Sequence, residues 1–197
     1  WIYSRTNSKS KKLSQYFLMK HIEEDYEKFI EKNKKNIDGI FILVSADQIF
    51  KISKKILKFK IPVFIEKPPG LNLSQLNELN NLSRNYKTSN LVGYNRRFYS
   101  IIKKLKNNLK KETIISAHVE AHERFWLLKK IIKDKFILKN WTTVNTSHIL
   151  NLLIFLLGDF KKVTSFSKNN FNKKNIDVNT SALIEFKKKI FTTFKTN

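Results

Sequence analysis

The sequence predicts an α/β fold, an incomplete doubly wound parallel sheet continued by an α+β unit with a mainly antiparallel open sheet. Three observations carry this. Short β-rich runs alternate with longer helical patterns up to about residue 95, as βαβ units do. The run "DGIFILV" (38–44) is almost unbroken apolar, as a strand buried on both faces requires. Beyond residue 96 the alternation gives way to an amphipathic helix, a partly alternating strand, an apolar helix and two further strand-like runs.

Taken in order, "WIYS" (1–4) reads as a strand, "SKKLSQYFLMK" as a helix, and "EEDYEKFIEKN" as a second helix whose acidic start suits the helix dipole. After "DGIFILV", the stretch "DQIFKISKKILKF" sets Ile49, Ile52 and Ile56 on one helical face with lysines opposite. "IPVFIE" (61–66) is the next strand, with Pro62 at its first position, where the missing N–H does least harm. A helix over "NLSQLNELNNLSRNY" leads to a short strand, "NLVGYN" (90–95). In the second part, "FYSIIKKLKNNLKK" reads as an amphipathic helix, "TIISAHVEAH" (113–122) as a half-buried strand, and "VNTSHILNLLIFLLG" as an apolar helix. "DVNTSALIEFKK" and "IFTTFKT" read as an antiparallel pair. The predicted division is 1–96 and 97–197.

Composition narrows the function. The net charge of +23 comes from 39 basic residues, only five of them Arg, and the lysines are spread over the whole chain. Nucleic-acid sites concentrate Arg and aromatics on one face, so the charge reads as a solvated surface and no nucleic-acid partner is expected. The chain has no Cys, which removes a disulfide scaffold, a thiolate metal site and a Cys nucleophile, and fits a reducing cytoplasm. "ILNLLIFLLG" (149–158) is too short to span a bilayer, and no membrane partner is expected. His118 and His122 lie four apart in a predicted strand and form no helical metal pair, so no metal is assigned.

In a doubly wound sheet, ligands bind beyond the carboxyl ends of the strands. Four polar clusters fall there: "SRTN" (4–7), "SADQ" (45–48), "EKPP" (66–69) and "GYNRRF" (93–98). Singly, each reads as a helix cap or a solvated turn. Their placement at successive strand ends favours one shared site.

The ordered motifs "VFIEKPPG" (63–70), "VGYNRRFYS" (92–100) and "NTSHILNLLIFLLGD" (145–159) resemble the Gfo/Idh/MocA family of oxidoreductases. The resemblance covers nearly the whole chain. It implies a Rossmann-like dinucleotide-binding unit followed by a substrate and dimerisation unit, a nicotinamide cofactor, and hydride transfer at a secondary alcohol of a sugar, cyclitol or nucleotide-linked sugar. By the same resemblance Lys67 lies between nicotinamide and substrate, Glu66 against the nicotinamide end, and Asn95 and Arg96 at the junction of cofactor and substrate. His148 is the general acid and base, Asn145 stands with it at the substrate, and the Lys67–Pro68 bond is cis. Ser45, Ala46 and Asp47 belong to the cofactor side. A cation at position 67 is chemically apt, because it stabilises developing alkoxide character, and imidazole suits proton transfer near neutrality.

NAD-binding sheets place a carboxylate after the second strand to hold the ribose hydroxyl. "YSRTN" offers Ser4, Arg5 and Thr6 instead, so NADP is expected in preference to NAD. The chain departs from the family pattern in three places: Val144 where a carboxylate is frequent, Asn151 where Asp is common, and Phe50 in place of a His. No G-x-G-x-x-G occurs among its 4 Gly, so the chain is expected to be an internal fragment lacking the first strand and its phosphate-binding turn. A catalytically inactive relative or remnant, serving as a binding or regulatory module, is the alternative reading. A homo-oligomer through the second sheet is also expected.

Overall fold

The computed structural model describes residues 1–123, 134–168 and 179–196. Three short strands, β1 (Ile40–Ile42), β2 (Val63–Ile65) and β3 (Asn90–Val92), pair in parallel in that order. Helices α1 (Asn7–Tyr16) and α2 (Tyr26–Asn33) precede β1; α3 (Ala46–Ile56) and α4 (Leu73–Tyr86) connect the strands. The spacing in α3 does what its pattern predicts. Ile49 and Ile56 are buried, in one cluster with Ile30, Ile42, Ile61, Val63 and Ile65, and Ile52 packs at its edge. Each such side chain contributes roughly 1.5–3 kcal/mol by leaving water. The lysines opposite form exposed ion pairs, Lys54 with Glu78 and Lys55 with Glu27, which contribute little. Side-chain caps begin two of the helices: Asp25 accepts from the N–H groups of Glu27 and Lys28, and Asn72 from that of Gln75.

Two strand readings are corrected. "WIYS" is not a strand of this sheet; Ile2 makes only an isolated parallel bridge to His21. Trp1 and Tyr3 instead rest their rings on Phe29 and Tyr26 of α2. Nor is "DGIFILV" buried on both faces. Ile42 points into the core, while Phe41 is 70% exposed and meets only the Phe64 ring on the far side of the sheet. Among the described residues β1 pairs only with β2, as an edge strand of the sheet.

The chain then runs through a 3₁₀ turn (Asn95–Phe98), α5 (Ser100–Leu109), β4 (Ser116–Ala121), α6 (Lys135–Lys139), a π-helical turn (Thr142–Thr146) and α7 (Ser147–Leu157). It ends in β5 (Phe160–Lys168), β6 (Asn179–Phe186) and β7 (Phe191–Thr196). The second sheet has the order β4-β7-β6-β5; β5/β6 and β6/β7 are antiparallel and β4/β7 parallel. Its inner face carries Ile184, Phe186 and Phe194, and α7 covers it with Leu153 and Leu157. β5 is absent from the sequence reading, because lysines and serines obscure its alternation. Lys106 of α5 donates to the carbonyls of Phe155 and Leu156 at 2.5 and 2.9 Å, occupying acceptors that the end of α7 leaves free. No helix among the described residues is long and apolar enough to cross a membrane.

Candidate functional site

Glu66 and Lys67 leave the carboxyl end of β2 and enter a cis Lys67–Pro68 peptide, with Pro68 buried. The Glu66 N–H still donates to the Ile42 carbonyl at 3.0 Å, and the Gly93 N–H to that of Ile65 at 2.8 Å. The ladder thus fixes the backbone up to the residue before Lys67. The Lys67 ammonium then crosses to the second part of the chain and donates to the Val144 carbonyl at 2.7 Å. Val144 lies in the π-helical turn, the kind of wide turn that is frequent at functional sites.

Four residues on, His148 stands in the first turn of α7. Its ring is perpendicular to that of Tyr94, at 5.8 Å between centroids. Burial, reinforced by the nearby charges of Lys67 and Arg96, pushes the His148 imidazole down to about 4. At neutral pH it is therefore uncharged and can accept a proton. Burial also lowers the Lys67 ammonium; Glu66 and Glu123 oppose that shift, and Arg96 adds to it. Nδ1 of His148 and the amide nitrogen of Asn145 are buried with no protein partner. Buried polar atoms of this kind are free to take a partner from water or a ligand.

The structure therefore brings Glu66, Lys67, Arg96, Asn145 and His148 into one region. Asn95 opens the 3₁₀ turn and is exposed. Ser45 precedes α3 without a side-chain bond to its N–H groups. Hydrogen bonding from Ser45, then from Gln48, lowers the carboxyl of Asp47, and Ala46 is the first helical residue. Ser4 accepts from the Thr6 N–H at 3.2 Å, and Arg5 is exposed. No hydrogen bond or ion pair among the described residues joins this trio to the Lys67 cluster. Phe50, in the position of a family His, lies under the Lys54 ammonium at 6.0 Å.

Three groups escaped sequence reasoning. Tyr94 lies inside the quoted "GYNRRF" and Glu123 outside any motif; neither was singled out, since only the fold sets them near His148 and Lys67. Arg97, from the quoted "GYNRRF", donates to Asn151 at 2.5 Å across 54 positions, so the amide that replaces an Asp has a structural partner. Gly93 is closely packed: a Cβ there would come to 3.0 Å from the Phe64 ring and 3.3 Å from Glu66 Oε2, so the ring would have to give by a few tenths of an ångström.

Parallel sheet, flanking helices and a mixed second sheet define a class of architecture, a Rossmann-like unit with an appended open-sheet unit. Residues 1–95 match the model of the Gfo/Idh/MocA family, described as an oxidoreductase family with an NAD-binding Rossmann fold. No curated protein matches the sequence. Among solved structures, an oxidoreductase from Agrobacterium radiobacter in complex with NAD+, L-tartaric acid and magnesium superposes with a TM-score of 0.84 at 16% identity, over 100% of this chain and 58% of that one. An NAD-binding oxidoreductase from Klebsiella pneumoniae gives 0.83 at 13%, over 99% and 56%. The WlbA dehydrogenase from Bordetella pertussis, in complex with NADH and UDP-GlcNAcA, gives 0.82 at 10%, over 100% and 58%. At these identities the likeness is one of fold, and the chain spans less than two thirds of the length of these structures.

The residues present fit the nicotinamide and substrate end of such a site. Lys67 supplies a cation, His148 a neutral base, and the unpartnered nitrogens of Asn145 and His148 face no protein acceptor or donor.

Proposed function

We propose that the chain forms the catalytic part of an NAD(P)-dependent oxidoreductase acting on a secondary alcohol of a sugar, cyclitol or nucleotide-linked sugar. The observation that supports it most is the meeting of Lys67 with the turn before His148, 77 residues away in sequence from Val144. The nicotinamide cofactor would supply the hydride acceptor in oxidation and the donor in reduction. In oxidation the C–H electron pair leaves the carbinol carbon with its hydrogen as hydride, the O–H proton passes to the neutral His148, and a ketone remains. Lys67 holds the oxygen and offsets its growing negative charge. Asn145 orients the substrate, Arg96 contacts it or the cofactor, and Glu66 flanks the nicotinamide.

On the cofactor side, Ser45, Ala46, Asp47 and Asn95 line the strand ends. Ser4, Arg5 and Thr6 favour NADP over NAD, since they offer a 2′-phosphate donors and no carboxylate. A division at residues 96 and 97, a cytoplasmic setting and self-association through the second sheet belong to the same reading. The alternative, a binding module without turnover, draws on Val144 and Phe50. Reduced-nicotinamide fluorescence on the full chain, with each dinucleotide and a panel of sugars, cyclitols and nucleotide sugars, separates the two. Turnover on a panel member is the expected result; dinucleotide binding with no turnover on any member would favour the alternative.

A further inference from the structure

We propose that Tyr94 is a positioning residue for His148, its ring being the wall that sets the plane of the imidazole and keeps water from it. This deepens the proposed site and rests on His148 being the proton-transfer group. A working histidine is ordinarily oriented by a hydrogen bond to its second nitrogen. Here Nδ1 of His148 is buried and has no such partner, so another contact must hold the ring. The perpendicular ring of Tyr94, 5.8 Å away with an interplanar angle of 87°, is that contact, in an edge-to-face arrangement that aromatic pairs prefer.

The backbone explains why Tyr94 is placed so firmly. It sits at φ −79°, ψ 77°, and the Asn95 N–H donates to the Gly93 carbonyl at 3.0 Å, an inverse γ-turn that ends β3. Gly93 is seated close on Phe64, a Cβ there coming to 3.0 Å from the ring, which limits the turn's freedom to retreat. The charged groups acting on His148 are Lys67 from the end of β2 and Arg96 from the 3₁₀ turn. Arg97 is the charged group that acts on Tyr94.

The chain has only 4 His, so each imidazole can be followed by NMR as pH is varied, without substrate. In the parent chain and in Tyr94→Phe, His148 is expected to titrate at about 4, with its ring protons displaced by the neighbouring aromatic. In Tyr94→Leu its midpoint is expected to rise by about one unit or more toward the ordinary value near 6.5, with His21, His118 and His122 unmoved. An unchanged His148 midpoint in Tyr94→Leu would overturn the proposal, as would Tyr94→Phe behaving like Tyr94→Leu. If the Leu variant does not fold, absence of a Tyr94–His148 ring contact in the parent spectrum overturns it equally. Failure of turnover leaves these readouts intact and counts against the proposed function instead.

Discussion

Lys67 and His148 are cationic and neutral by the same physics. Burial disfavours the charged form of both, but Glu66 and Glu123 support the ammonium, while Lys67 and Arg96 weigh further against the imidazolium. The pH dependence follows with a definite sign. Because the imidazole is pushed down to about 4, the proton-accepting form is present throughout the range above that value. Alcohol oxidation is expected to keep a flat profile through pH 6–7, with an acid limb near the depressed value; a limb at about 6.5 would show His148 to be solvated instead. Folding has the same sign. The unfolded imidazole binds its proton near the ordinary value and the folded one near 4, so His148 subtracts stability as pH falls between them. Much of this was legible in the residues: "EKPP" and "TSHILN" named the pair. Tyr94, Glu123 and the Val144 carbonyl were not, because a backbone oxygen has no sequence signature and the other two act only through tertiary placement.

Among the elements, those with a strong period were read correctly. α3, α4, α5 and α7 follow their apolar spacing, and β6 and β7 pair antiparallel. The misses share a cause in neighbours. "WIYS" has strand-like residues but pairs only through Ile2, and β5 is so poor in alternating apolar residues that only its partner β6 defines it. The outer face of the second sheet was anticipated as a contact surface, and it carries exposed Phe166, Leu183 and Phe191. These side chains flank a polar stripe of His118, Glu120 and His122, in which Glu120 lies within 3.4 Å of one imidazole and 3.3 Å of the other. If a second copy covers this face, Leu183→Lys is expected to move the chain toward monomer in sedimentation with its helical content unchanged. An identical sedimentation profile for parent and variant would count against that use of the face.

At the scale of the whole molecule, the proposed site draws one half from the first sheet and the other from the helical segment that precedes β5. β2 and β3 end in Lys67 and Tyr94, and the π-helical turn and α7 bring Val144 and His148 to meet them. The Arg97–Asn151 bond and the Lys106 cap on α7 fasten the same junction, so Lys67 and His148, the pair proposed to act in catalysis, sit where the two parts are tied. The class of fold was visible in the alternation of elements, whereas this junction was not, since contacts 49 to 77 residues apart leave no local pattern. The measurement that bears most directly on the account is the single-turnover rate of hydride transfer in Lys67→Met beside the parent chain, with dinucleotide affinity measured in parallel. The expected result is a loss of about 10²–10³ in rate with affinity little changed; transfer at the parental rate would contradict the assignment of Lys67, and with it the site.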